Sequence, residues 1–262
     1  MSGVQIRIIL FLALSCALTW SGTPLNRLFS TEFWPAPMNP LGPLVAAPIV
    51  IGLTEGRAGL VRWLRRIARF RAPVSIYAAA FFIPGAIIAA SFALTAATGA
   101  TILPTPHYTA GELLFAVPLI LISGPVPEEP AFRGYGLDTL QREIPPLAAS
   151  LWIGLGVMVW HLPLLAAGEV PVTVFLPLAG VAVVYGWLYN RGGSVWPLVV
   201  LHGQLNLVSA GWTHPMMPEA SDQARYLAFL GVFYLIWAAV LIWRCGPELG
   251  RSAQPPLRPL SV

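Results

Sequence analysis

Charge is scarce in this chain. Asp, Glu, Lys and Arg make up 10% of its 262 residues, and each of the 15 basic residues is arginine. A soluble protein of this size carries about 25% charge. With 56% hydrophobic residues and a mean hydropathy of +0.72, the composition excludes an ordinary water-soluble domain. It reads as one lipid-embedded helical domain. Cysteine is nearly absent. Cys16 and Cys245 lie at opposite ends of the chain and form no CxxC pair, so no disulfide or thiol–metal framework is implied. Both are read as small apolar packing residues. No soluble basic domain is present that could bind nucleic acid. Neither HExxH, the more specific zinc-protease signal, nor the serine elbow GxSxG occurs. No A-x-A site follows the apolar run at residues 8–18, which is therefore taken as an uncleaved first span and not as a signal peptide.

Long apolar runs are what the chain does have. They fall at about 4–20, 40–53, 74–97, 111–125, 147–166, 171–189, 195–210 and 225–243. A spanning helix needs about 17–25 residues. The second run is short unless it begins near Phe33. The fourth is short unless it continues through the glutamates that follow it. The expected fold is all-α: a polytopic integral membrane helical bundle of about eight transmembrane helices. It forms a single domain over residues 1–250, with a disordered tail at 251–262.

Arginine sets the expected orientation. With the N-terminus in the cytoplasm, Arg57, Arg62, Arg65, Arg66, Arg69 and Arg71 lie inside. Arg133, Arg142, Arg191, Arg244, Arg251 and Arg258 fall on or near the same side, and only Arg27 and Arg225 lie outside. Both termini are thus read as cytoplasmic, and the expected location is a bacterial inner membrane. Residues 57–71 carry Leu60, Trp63, Leu64, Ile67 and Phe70 at helical spacing among the arginines. Two readings stay open for them: a basic amphipathic helix on the inner leaflet, or a solvated positive loop.

Ionisable groups at membrane depth are costly and point to function. The stretch "PVPEEPAFRGYG", residues 125–136, places Glu128 and Glu129 there. Pro127 suits the first turn of a helix, and Pro130 is tolerated if it stays within that turn. A helix starting near Pro127 sets its positive end beside both carboxylates. Glu129 and Arg133, at i,i+4, can pair along one face, which leaves Glu128 less compensated on another. The bland alternative is a capped helix start with a structural ion pair. His161 ends the run "LWIGLGVMVWH". His202 and Asn206 share a helix face at i,i+4. A lone buried histidine is often a hydrogen-bonded core residue, but a His with an Asn one turn later needs two partners in hydrocarbon. His107 and His214 fall in expected outer loops beside prolines and are set aside.

Depth supports a shared site. Glu128 lies about 14 residues, or ~21 Å, from the turn near Glu143–Pro146, and His161 lies about 15 residues, or ~22 Å, beyond it. In an antiparallel hairpin the two come level. His202 lies about eight residues past the loop "NRGGS", or ~12 Å deep. If ~10 Å of the hairpin projects from the membrane, all three segments converge at one depth.

These residues resemble the CAAX prenyl protease and bacteriocin-processing family, CPBP, also called Abi. The first part of its pattern, EExxxR, is Glu128-Glu129-Pro-Ala-Phe-Arg133. The second, an aromatic-xxx-His, is "VMVWH" ending in His161. The third, His-xxx-Asn/Asp, is His202-Gly-Gln-Leu-Asn206. The resemblance covers about residues 111–210. Pro130 replaces a residue that is usually apolar and helix-forming, and Val157 stands where phenylalanine is frequent. The resemblance implies an intramembrane endopeptidase acting on a peptide or membrane-protein substrate within the lipid bilayer. Glu128 would accept a proton from water, helped by His161. His202 and Asn206 would donate to the oxyanion, and Glu129 and Arg133 would hold the site in shape. The family is often labelled metalloprotease. No cofactor is favoured here, and zinc on Glu128, His161 and His202 is the alternative. Two other readings remain: a non-catalytic immunity or binding protein, and a proton-coupled transporter. A transporter of this length could show two similar halves, and none are seen.

Overall fold

The computed structural model describes residues 2–22 and 38–251. The expected start near Phe33, Arg27, Arg258 and most of the expected tail lie outside the described residues. Those that are described form helices and connections and no strand. The helices are α1 (Gly3–Trp20), α2 (Gly42–Ile67), α3 (Val74–Ala97), α4 (Ala110–Ile122) and α5 (Pro125–Ala131). A π-helix, Phe132–Leu137, continues α5. Then come α6 (Pro146–Trp160), α7 (Leu162–Ala166), α8 (Phe175–Gly192) and α9 (Trp196–Gln204). A second π-helix, Leu205–Thr213, extends α9, and α10 spans Ala220–Cys245.

Local chemistry explains the helix starts. Ser2 with Gln5, and Thr109 with Glu112, form capping boxes that satisfy orphan N–H groups at the heads of α1 and α4. Proline stands in the first two positions of α2, α5, α6 and α9, where a missing N–H costs nothing.

Among the described residues, seven helical stretches are long and apolar enough to cross a membrane. The expected eighth span, at 195–210, corresponds to α9 with its π continuation. The fourth run does continue through the glutamates, since the stretch Ala110–Leu140 counts as one span. The second run continues too, into the arginine segment. Gly56 breaks α2 between the two parts, at φ 63° and ψ −162°. That conformation is nearly closed to residues with a Cβ. Helix then persists only to Ile67, short of the expected end at 71. Trp63 is buried and donates from Nε1 to Pro130 O at 3.0 Å, and Arg66 donates to Gly134 O at 3.0 Å. The basic half of α2 is therefore fastened to the chain that carries the glutamates.

The centre of the bundle is α8, which packs between α6 and α10. Its crossing with α10 is close because glycine lies on both sides. A Cβ on Gly180 would stand 2.6 Å from the Tyr234 carbonyl carbon, and one on Gly231 would stand 2.4 Å from Leu176 Cβ. Small residues allow such approach in hydrocarbon, where packing replaces the hydrophobic drive. On the other side α1 packs on α2 and α6, and α5 sits between α2 and α9. Phe11 of α1 is fully buried, edge-on to Phe132 at 5.8 Å and Tyr135 at 5.3 Å.

Candidate active site

The α5 helix begins at Pro125, two residues before the expected start. Pro130 consequently lies beyond the first turn. It has no N–H for the Val126 carbonyl, and its ring crowds that carbonyl. From Phe132 the ladder widens to π spacing. A π-turn is where a helix absorbs such a fault, and π-turns recur at functional sites. The widened turn carries Arg133.

Glu129 is fully buried. Its Oε1 accepts from Arg133 Nη1 at 3.2 Å, as the i,i+4 spacing implies, and from His202 Nδ1 at 2.8 Å. The guanidinium of Arg133 also lies over the Tyr185 ring, 4.1 Å from its centroid. Glu129 Oε2 has no partner among the described residues. Glu128 takes a different direction. Its carboxylate makes no hydrogen bond to the described residues, and the residue lines a cavity of about 340 Å³. His161, His202 and Asn206 line the same cavity. The structure thus brings together the residues from all three segments, with Arg133 at the wall and Glu129 behind His202.

The two histidines are held by their Nδ1 atoms. His161 caps α6, and its Nδ1 is 2.8 Å from Val157 O. A carbonyl only accepts, so Nδ1 carries hydrogen and the neutral ring keeps a lone pair at Nε2. Trp160, edge-on to His161 at 4.8 Å, donates from its own Nε1 to Thr19 Oγ1 at 2.7 Å. That contact ties the end of α6 to α1. Asn206 sits in the second π-helix, not in the continuous α-helix that the i,i+4 spacing assumed. Its amide lies over Gly124: a Cβ there would stand 2.6 Å from Asn206 Nδ2 and 3.8 Å from Glu128 Oε1. Glycine at 124 leaves room for both side chains.

Sequence reading missed several lining residues. Tyr185, Ser209 and Glu169 contribute to the wall. So does His214, set aside as an outer-loop residue, whereas His107 is exposed. The His214 ring is edge-on to Tyr226 at 5.7 Å, and Nε2 is buried without a partner among the described residues. Only a buried hydroxyl in an apolar run could have hinted at Tyr185. Nothing in local spacing marks His214, because the second π-helix decides where it points.

Zinc needs its ligand atoms at about 2.0–2.2 Å from one point. No group of three or more His, Cys, Asp and Glu side chains among the described residues is arranged to hold a metal. Glu128, His161 and His202 line one cavity, but they do not fit a zinc centre in this arrangement.

Residues 110–208 match the family model described as "Rce1-like: Type II CAAX prenyl endopeptidase Rce1-like". The matched stretch runs from α4 into the second π-helix and contains Glu128, Glu129, Arg133, His161, His202 and Asn206. It is consistent with a CPBP family protease and supports a membrane endopeptidase family. No curated protein matches the chain. The matched domain and the seven apolar helices together mark an integral membrane protein.

Proposed function

We propose that this protein is an intramembrane endopeptidase that hydrolyses a peptide bond with water activated by Glu128 and His161. The carrying observation is that Glu128, His161, His202 and Asn206, from three separate segments of the matched stretch, line one cavity. Glu128 takes a proton from the attacking water as the new C–O bond forms. His161, with Nδ1 committed to Val157 O, offers Nε2 to orient that water. The carbonyl oxygen gains charge, and Asn206 Nδ2 donates to it. His202 acts as an imidazolium, donating from Nδ1 to Glu129 and from Nε2 to the oxyanion. Glu128 then returns the proton to the leaving amine, and the C–N bond breaks. Glu129 and Arg133 are positioning residues: the carboxylate orients His202, and the guanidinium holds the carboxylate.

No step passes through a metal. The substrate class is a peptide or membrane protein, reached within the bilayer. The arginine-rich end of the bundle is assigned to the cytoplasm of a bacterial inner membrane, with both termini on that side. Arg7, Arg62, Arg66, Arg142 and Arg251 gather there through contacts with Glu55, Asp138 and Gln141, which supports that assignment.

The test compares membrane-protein fragments between wild-type cells and cells carrying Glu128→Gln. The variant keeps size and removes the base. Fragments present only in wild type are expected. Identical fragment sets, with an unchanged phenotype, would instead favour a binding or immunity protein. Loss of proton-coupled uptake in the variant would favour a transporter.

A further inference from the structure

A second concave site lies at the arginine-rich end, away from the cavity that holds Glu128. Its volume is about 490 Å³. Arg62, Arg65, Arg66 and Arg69 enter from the end of α2 and the residues just after it, and Arg251 enters after α10. Gln141 also lines it. Five arginines thus face a space whose lining holds one carboxylate, Asp138.

Those arginines are not neutralised equally. Arg62 pairs with Glu55 at 2.8 Å, and Arg66 with Asp138 at 2.8 Å. Arg251 donates to the Gln141 carbonyl at 2.6 Å. Arg65, in the last turn of α2, and Arg69, just past its end, make no ion pair among the described residues. Two guanidinium groups that line one cavity without a counter-ion repel each other. A second observation is independent of charge. Gln141 is 5% exposed, and its Nε2 is buried without a hydrogen-bond partner. A buried N–H that lacks an acceptor costs about 1–3 kcal/mol. The atom lies beneath the cavity surface, and a rotation of the Gln141 side chain would bring it to an acceptor in the cavity. Guanidinium forks match the oxygens of a phosphate group, which also supplies the missing negative charge.

The surroundings indicate where that phosphate comes from. Exposed Leu64 and Phe70 flank the arginines. Phe70 stacks on Trp196 at 4.2 Å, and Trp196 Nε1 donates to Ile67 O at 2.8 Å. Amphipathic aromatics of this kind lie at headgroup level. Arginines beside a membrane surface attract anionic lipid.

We propose that this cavity is a binding site for a phosphate group, supplied by the headgroup of an anionic phospholipid. Arg65 and Arg69 take the phosphate oxygens, and the Gln141 amide donates to a headgroup oxygen. Arg66 links the site to the chemistry, because it also holds Gly134 O in the π-helix that carries Arg133.

The experiment measures lipid retention by native mass spectrometry on the intact protein, offered equal phosphatidylglycerol and phosphatidylcholine. Wild type should retain phosphatidylglycerol at least tenfold better. Arg65→Gln with Arg69→Gln should remove most of that preference. Arg57→Gln with Arg71→Gln deletes the same charge outside the cavity and should leave it intact. Gln141→Leu alters no charge and should lower the preference several-fold. Millimolar inorganic phosphate should not displace the lipid. Displacement with equal occupancy would keep the phosphate site and assign it to free phosphate. Equal retention of the two lipids, or equal effects of the two arginine pairs, would overturn the proposal.

Discussion

Asn206 and Gly124 show how closely this part of the site is fitted. A methyl group on residue 124 would meet the Asn206 amide at 2.6 Å, so the amide would have to move. Asn206→Ala removes one proposed oxyanion donor, and such a donor is typically worth about 10²–10³ in rate. Turnover should fall by about that factor while thermal unfolding stays near wild type. Gly124→Ala should lower turnover comparably, by displacing the amide it cannot accommodate. Full activity in both variants would remove Asn206 from the chemistry. Arg133 behaves differently from what its i,i+4 pairing alone implies. Truncating it does not strand Glu129, because His202 also binds Glu129 Oε1. The Glu129 ion pair is thus a three-residue cluster joining α5, its π continuation and α9.

At the scale of elements, the spans were legible and the turns inside them were not. Apolar length alone located the helices, because a bilayer demands a fixed number of residues. Glu128, Glu129, His161, His202 and Asn206 stood out because polar groups in apolar runs need a reason. The two π-helices left no such mark. Their residues are as apolar as the α-helices they interrupt, and the wider ladder follows from tertiary fit and, at the first, from Pro130. That is why Ser209 and His214 were missed, whereas Tyr185, in the regular helix α8, was missed because a tyrosine in an apolar run looks like a packing residue. Gly56 makes the α2 break testable. Nothing lies within 4 Å of a Cβ built there, so only the backbone conformation disfavours a side chain. Gly56→Ala should therefore cost about 1–3 kcal/mol. A lowered unfolding temperature in detergent would register it. An unchanged temperature would mean that α2 straightens without penalty.

The whole molecule separates its polar groups by level. Ion pairs of Glu55 and Asp138 with arginines mark one end. The other end holds Asp222 with Arg225 at 3.3 Å, and the Tyr108 hydroxyl donating to Gly211 O at 2.9 Å. The proposed orientation, which rests on the arginine rule, puts residues 98–110 outside. A cysteine at Thr105 should react with an impermeant reagent in intact cells, and reaction only after permeabilisation would invert the orientation.

The central claim is that Glu128 is the base of a peptide hydrolysis in this cavity. Its most direct test uses purified wild type and Glu128→Gln, folded to the same unfolding temperature, against a library of transmembrane peptides. Wild type should release fragments at a rate that survives prolonged chelation, and the variant should release almost none. Cleavage by Glu128→Gln at the wild-type rate would contradict the account.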